Sequence, residues 1–523
     1  MTSNRAVARA GLVVSAAFMV SRILGFVRTA VLLGVFGAGR ELDAFYAAFR
    51  LPDLIFQLVA AGALSSALIP IVAGLLATDQ TARAWRVVST VMNLIVLALA
   101  ALAFVVLVAA PWLVPLFTAG FDPAQTARTV ELTRIMLLGP IFLALGSVAT
   151  SLLNAQGRFG AAALAPIVYN VAIIAATLAF APTLGVTAAA VGVVLGSLGH
   201  LLVQLPVVAR LGYRHVRGIE LEDTEARTAL RLMAPRAIGL GATQITFVVV
   251  TAVASTIGTG AITVFNTAFA LLQIPVGVIG VPLGVVVFPS LSREAAMGRI
   301  EEFVGLLSRA LRLLLFVMLP IAGIGAVLAG DLVDLLFGGG IVDRAALDLT
   351  ARTLVVFLAG LPAHALIAVL ARAFYARQDT MTPVVAAVAS VVLNSTLSVV
   401  LAGPLGLPGV AAAIAAGAWL EFGALLVVFK RRVPDLAISP VALVAVRSLV
   451  ATVAATGVAF ALRGGLALIG TDEPGRLEIL VRMAVAGGAA LLVYVLLSAA
   501  LRIPELPSIV GVMVDLLRRP RRA

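Results

Sequence analysis

Arginines set inside apolar stretches are the first feature that needs a chemical reason. Ser21, Arg22 and Arg28 sit in one such stretch, and Arg50, Asp53 and Gln57 sit in the next. A guanidinium is a rigid fork of donors that matches phosphate or carboxylate oxygens two at a time. On a helix Arg22 and Arg28 are about 9 Å apart along the axis and roughly 120° apart around it. Reaching toward a single membrane interface therefore does not account for both. Arg50, Asp53 and Gln57 fall at i, i+3 and i+7, on one helix face, and Pro52 removes a backbone hydrogen bond beside them. Two readings stay open. Arg50 pairs with Asp53 while carbonyls hold Arg22 or Arg28, or the set is a cationic lining for an anionic substrate. More arginines are present than one aspartate neutralises, which favours the lining.

These residues need a membrane around them. Of 523 residues, 62% are hydrophobic and 12% charged, and the mean hydropathy is +1.14; an ordinary globular domain is nearer one quarter charged. Apolar runs of roughly 20 residues cross a bilayer as helices, and about fourteen can be counted along the chain. Runs such as Leu94 to Ala110 are apolar on every side, whereas a transmembrane strand alternates. The expected fold class is an all-α polytopic membrane protein. The second and seventh spans are placed at residues 44–76 and 233–257, the ninth at 303–329, and the eleventh and twelfth at 381–402 and 408–429.

Charge sorts the connections. The net charge is +12, and the basic residues are all arginine except Lys430. They collect in alternate loops: Arg5 and Arg9, Arg83 and Arg86, Arg158, the segment Arg210 to Arg236, Arg377, Lys430 to Arg432, and a tail ending in Arg521 and Arg522. The remaining loops are uncharged or, like the stretch Asp331 to Asp348, lean acidic. Positive loops stay inside, so both termini are expected in the cytoplasm. Trp85 and Trp112 bracket the third span at belt positions. The apolar stretch after Arg9 continues past Arg22 and reads as an uncleaved first helix. No aromatic-interleaved basic motif points to nucleic acid.

The chain repeats itself at an offset near 220 residues: Phe45 and Phe49 match Phe265 and Phe269, Asn154-Ala155 falls against Tyr375-Ala376, and Leu184-Gly185 matches Leu405-Gly406. Six helices per copy make a parallel duplication, with a substrate site expected between the halves. The second copy carries less charge: Ala270 stands where Arg50 does and Gln273 where Asp53 does, with Asn266 on the same face. The domains read as an N-terminal bundle over 1–210, a cytoplasmic amphipathic linker over 211–232, a C-terminal bundle over 233–432, two extra helices over 433–502 and a basic cytoplasmic tail over 503–523.

Cysteine is absent and only His200, His215 and His364 are present, which argues against thiolate or histidine metal sites. His200 and His364 read as core residues before proton relays. Walker, nucleophile-elbow and metalloprotease motifs are missing.

At this point a resemblance enters. The residues Ser21 to Arg28, Phe36 to Gly39, Asp43-Ala44-Phe45, Ala48 to Pro52 and Gly62-Ala63-Leu64 resemble the opening of the MurJ (MviN) lipid II flippases. Gly277 to Gly280, Phe288 to Ser292 and Phe374 to Thr380 resemble that family's second half. The resemblance implies the multidrug/oligosaccharidyl-lipid/polysaccharide exporter fold, two six-helix bundles in a V plus two helices whose groove holds a lipid tail. It implies movement of an undecaprenyl-diphosphate-linked peptidoglycan precursor across the bacterial inner membrane by alternating access. It also implies that Arg22, Arg28 and Asp43 matter for this transport, the arginines facing a cavity that receives the diphosphate and sugar. The family's further charges are replaced here by Phe56, Gln57, Ala61 and Ala270. Substrate-binding candidates are thus Ser21, Arg22, Arg28, Asp43, Arg50, Asp53, Gln57, Asn266 and Gln273. No cofactor is expected. The drive is membrane potential or a monovalent cation, although Gln244 in the seventh helix supplies no acid for sodium. Membrane lipids are the other partners, and the default is a monomer. The competing readings are export of another polyprenyl-linked glycolipid or a drug, a membrane scaffold, and a lipid-linked sugar transferase.

Overall fold

The computed structural model describes residues 4–59, 63–469, 471, 475–509 and 511; within its helices the side chains of 4–16, 18, 63–67, 232, 234–240, 242, 243 and 469 lie outside that description. Ala61, the side chains of Arg5 and Arg9, and the end of the basic tail therefore lie outside it too. Among the described residues there is helix and no strand, as lipid demands of a chain whose backbone groups must satisfy one another. Among the described residues eleven helices are long and apolar enough to cross a membrane. The difference from about fourteen has local causes. One helix, Met381–Arg432, turns at Gly406 (φ 61°, ψ −143°) and covers the two spans expected there. The second and seventh expected spans each include residues outside the description.

The described residues form two compact units, Met1–Asn266 with Gly340–Asp343, and Thr267–Gly339 with Arg344–Ala523. The first unit runs through α1 (Asn4–Phe36), α2 (Arg40–Ala48), α3 (Arg50–Val59), α4 (Ala63–Ala77), α5 (Thr81–Leu116), α6 (Pro123–Met136), α7 (Leu138–Ala155), α8 (Phe159–Leu184), α9 (Thr187–Leu202), α10 (Leu205–Arg210), α11 (Thr224–Ile257) and the start of α12 (Ala261–Pro275). Thus α11, expected to open the C-terminal bundle, groups with α3, α4 and α5. Of the expected linker 211–232, residues 224–232 belong to α11, and residues 213–220 ahead of it are not helical and lie along α5. Ser89 bonds Tyr213, the Val216 N–H donates to Ser89, Asn93 donates to the Val216 and Gly218 carbonyls, and the Glu220 N–H donates to Thr90. Arg83 grips Asp223, which caps α11.

The second unit continues from α12 through one π-helical turn (Val276–Gly280) into α13 (Val281–Ala296), then α14 (Ile300–Phe337), α15 (Arg344–Ala376), α16 (Met381–Arg432), α17 (Ile438–Ile469) and α18 (Arg476–Ala500). The two extra helices pack on α14. Ala451, Ala455 and Ala459 of α17 and Ala490 of α18 are fully buried, small residues that let helices approach closely. A Cβ on Gly323 would come within 2.6 Å of Thr452 and Thr456. Tyr494 donates to the Phe316 carbonyl at 2.6 Å. Further along, buried Asp331 accepts from Arg463 at 2.5 Å and Arg482 at 2.8 Å. Asp331 and Asp334, expected in an acidic loop, therefore lie inside α14; the arginines allow the helix to continue beyond its apolar span.

The internal repeat is visible in backbone geometry. Gly185 (φ 56°, ψ −142°) ends α8 and Gly406, 221 positions on, turns with nearly the same angles. After α7 the Arg158 N–H reaches back to the Leu153 carbonyl past Gly157; after α15 Asp379 reaches Phe374 past Gln378. After α4 and α13 the same closure joins Gln80 to Leu75 and Arg299 to Glu294, past the positive-φ residues Asp79 and Gly298. A left-handed residue is the usual way to stop a helix, and three stops recurring at offsets of 219 to 221 mark a duplicated chain.

Candidate functional site

The candidate polar groups of the first unit lie on α1, α2, α3, α11 and the first two turns of α12. Helix α1 lies against α8, where Gly25 faces Asn170: a Cβ there would make ordinary contact with its Oδ1 at 3.9 Å. Arg22 is exposed; Ser21 and Arg28 are half-buried. Among the described residues no carboxylate lies within ion-pair distance of Arg22 or Arg28. Arg28 is close enough to act electrostatically on Tyr46 of α2 and Tyr169 of α8.

Asp43 is placed differently. It is 1% exposed, and accepts from the Gly260 N–H (2.6 Å), the Thr263 N–H (2.8 Å) and the Thr263 hydroxyl (2.7 Å). Helix α12 starts after a glycine with no side chain to cap it, so its orphan N–H groups take a carboxylate from 217 residues upstream. A carboxylate also suits the positive end of a helix dipole. Gly260 has φ +85°, and a Cβ on it would strike the Ala38 carbonyl at 2.5 Å.

Arg50 and Asp53 do not form the direct ion pair that one sequence reading allowed. The Arg50 Nε donates to the Thr251 hydroxyl (2.8 Å) and its Nη2 to the Asn266 side-chain Oδ1 (2.9 Å), while its Cζ lies 5.3 Å from the centroid of the Phe247 ring. Asp53 instead accepts from Gln244 at 2.7 Å and from Gln57. Gln244, Phe247 and Thr251 fall at i, i+3 and i+7 of α11 and meet α3 along one stripe. The charges feel each other through space, with neutral side chains as their contact partners. Asn266 Nδ2 is tied to the Ile262 carbonyl, which orients its oxygen toward Arg50.

Of the nine sequence candidates, eight lie in the first unit and Gln273 in the second. Arg50 and Asn266 touch, as do Asp53 and Gln57; Arg22, Arg28 and Ser21 share α1. Thr251 and Phe247 are additional, and the stripe they share with Gln244 was the available signal. Phe56 and Ala270 are half-buried. His200 lies beside Gly146 of α7, where a Cβ would meet its ring at 2.3 Å, and is a packing residue of its bundle. Chemically, the described residues of the first unit offer Arg22 and Arg28 on α1 without carboxylate partners and an oriented guanidinium on α3, and among them no nucleophile is paired with a base. Among the described residues no cluster of three metal-ligating side chains occurs.

The family model described as "Lipid II flippase MurJ" matches residues 33–467. A protein of Burkholderia cenocepacia named "Lipid II flippase MurJ" is 32% identical over 432 residues, 81% of this chain and 84% of that one. A "Probable lipid II flippase MurJ" of Rhizobium tropici is 34% identical over 430 residues, 80% of each. Among solved structures, one titled "Lipid II flippase MurJ, inward closed conformation" superposes with a TM-score of 0.78 at 23% identity, covering 94% of this chain and 98% of that one. An inward-facing MATE-family multidrug resistance transporter gives 0.64 at 16% identity, over 79% and 95%. The fold is thus that of this transporter group, and by the span and identity of the sequence matches the chain belongs to the MurJ family of lipid II flippases.

Proposed function

We propose that this multi-pass protein of the bacterial inner membrane is a transporter, not an enzyme, and moves lipid II from the inner to the outer leaflet by alternating access. The observation that carries the reading is the pair Arg22 and Arg28 on α1, cations without a carboxylate partner among the described residues, in a chain matched by the family over residues 33–467. Carrying a diphosphate headgroup through hydrocarbon without compensation is prohibitive. Fixed guanidiniums in a wet cavity replace part of its hydration and bind its oxygens in forks. Arg50, steadied by Thr251 and Asn266, adds a third cation; Asp53, Gln57, Ser21 and Gln273 supply sugar and peptide hydrogen bonds, and Asp43 holds α12 in position. Both termini are cytoplasmic, the working form is a monomer, nucleic acid plays no part, and membrane potential or a monovalent cation drives the cycle.

The test is rescue of a bacterium depleted of its own lipid II flippase, with wild type, Arg28→Ala and Arg22→Ala compared at equal membrane expression. Rescue by the wild type that both substitutions abolish is expected. Rescue that survives both removes the cationic site. Failure of the well-expressed wild type to rescue points to another polyprenyl-linked glycolipid, the reading that Phe56 and Ala270 at usually charged positions would then support.

A further inference from the structure

Away from these residues, the C-terminal end of α5 carries a second arrangement of unpaired charge. Pro111 lacks an N–H and cannot close the helical bond to the Leu107 carbonyl. Arg134 of α6 fills the gap: its Nε donates to Leu107 O at 3.1 Å. One guanidinium edge is thereby fixed, while the side chain stays exposed on the membrane face of the unit. Leu107 and Trp112 of the same face are 40% and 69% exposed. Arg134 therefore lies about 7 to 8 Å deeper than a belt tryptophan, by helix rise.

Beside it runs an open groove of about 800 Å³ between α5 and α6, floored by Pro111, Phe121, Val130 and Ile135 and edged by Arg134 and Glu131. Glu131 is engaged by Arg128 at 2.7 Å, and Asp122 by Arg40. Among the described residues no carboxylate is within ion-pair distance of Arg134. The groove is apolar along its floor and cationic at one end, which is the charge pattern of a lipid tail joined to an anionic phosphodiester. A zwitterionic lipid brings its own cation and gains less.

We propose that this groove is a standing site for one anionic phospholipid of the surrounding leaflet, its phosphodiester on the free edge of Arg134 and an acyl chain over Pro111 and Val130. With both termini cytoplasmic, a point that rests on the proposed function, this is the outer leaflet. The lipid is a resident ligand, separate from the transported one.

The experiment is native mass spectrometry of the purified full chain with phosphatidylglycerol or phosphatidylcholine of identical acyl chains. Wild type should hold one phosphatidylglycerol in preference to phosphatidylcholine. Arg134→Gln should weaken that lipid about tenfold, as loss of a charge-assisted contact does, and leave phosphatidylcholine unchanged, while Arg134→Lys keeps most of the preference. Ala127→Trp, which fills the groove and retains the arginine, should lower both lipids, and it serves if Arg134→Gln does not fold. Equal loss of both lipids in Arg134→Gln, or unaltered phosphatidylglycerol binding in Ala127→Trp, overturns the site. Flippase rescue by Arg134→Gln is scored separately, so the two readings fail independently.

Discussion

The Arg50 and Asp331 groups solve the same problem, ionised side chains inside a helical membrane protein, in opposite ways. In the second unit Asp331 is clasped directly by Arg463 and Arg482, and the three side chains fasten α14 to α17 and α18. In the first unit Arg50 and Asp53 have neutral contact partners, Thr251 and Asn266 for one and Gln244 and Gln57 for the other. A clasped charge is spent on architecture. A charge steadied by neutral donors and acceptors is not neutralised at its contacts, which on the proposed function leaves its field for the substrate. The contrast also separates the two extra helices, anchored on α14 by ion pairs, from α11, joined to α3 by hydrogen bonds that can be exchanged one at a time.

The sharpest way to break the comparison is to remove each carboxylate. Asp331→Leu leaves two guanidiniums uncompensated and is expected to cost about 3 to 5 kcal/mol, read as unfolding in detergent; adding Arg463→Met and Arg482→Leu should restore most of it. Asp53→Asn keeps both amide partners and should shift the same measurement by less than about 1 kcal/mol. Equal effects would end the distinction. Next in size, Asp43→Ala orphans three donors at the start of α12 and should cost about 2 to 3 kcal/mol, with faster amide exchange at Gly260 and Thr263 and unchanged exchange in α17.

The smallest expected effect is pH-dependent and lies outside the bilayer. The hydrogen bond from Arg83, with the N–H groups of Glu225 and Ala226, holds the Asp223 carboxyl below its ordinary value despite partial burial. Its contribution is complete above the ordinary aspartate range near about 4 and is lost as pH falls through the lowered folded value. A spin label on Ile219→Cys, unique because the chain has no cysteine, should gain mobility only at the acid end of a titration. In Asp223→Asn that acid step should vanish.

How much of this the sequence disclosed depends on the range of each contact. Arg22, Arg28, Arg50, Asp53 and Gln57 were legible because a charge in an apolar run is conspicuous and helix spacing is local. The recurrence of Leu184-Gly185 in Leu405-Gly406 gave away the duplication, since a left-handed stop needs its own residue type. The cap that Asp43 provides was not legible, because its partner lies 217 positions away; the only hint was an uncapped glycine ahead of α12. Thr251 was hidden for another reason. Its hydroxyl also donates to the Phe247 carbonyl at 2.7 Å, which makes a threonine in a membrane helix look self-sufficient. Asp331 was read as a loop residue because its two arginines arrive from helices more than 130 positions downstream.

The stretch 213–220 tied to α5 has a consequence for how the chain meets a protease. Arg214 and Arg217 expose their side chains, yet the backbone around them is tied to Ser89, Asn93 and Thr90. Cleavage requires a segment to lift off and lie extended in the enzyme's cleft. Trypsin added to the purified protein therefore does not sample an idle loop. Its rate after Arg214 counts the moments when this stretch peels away from α5, making a nick at that bond a clock for that contact.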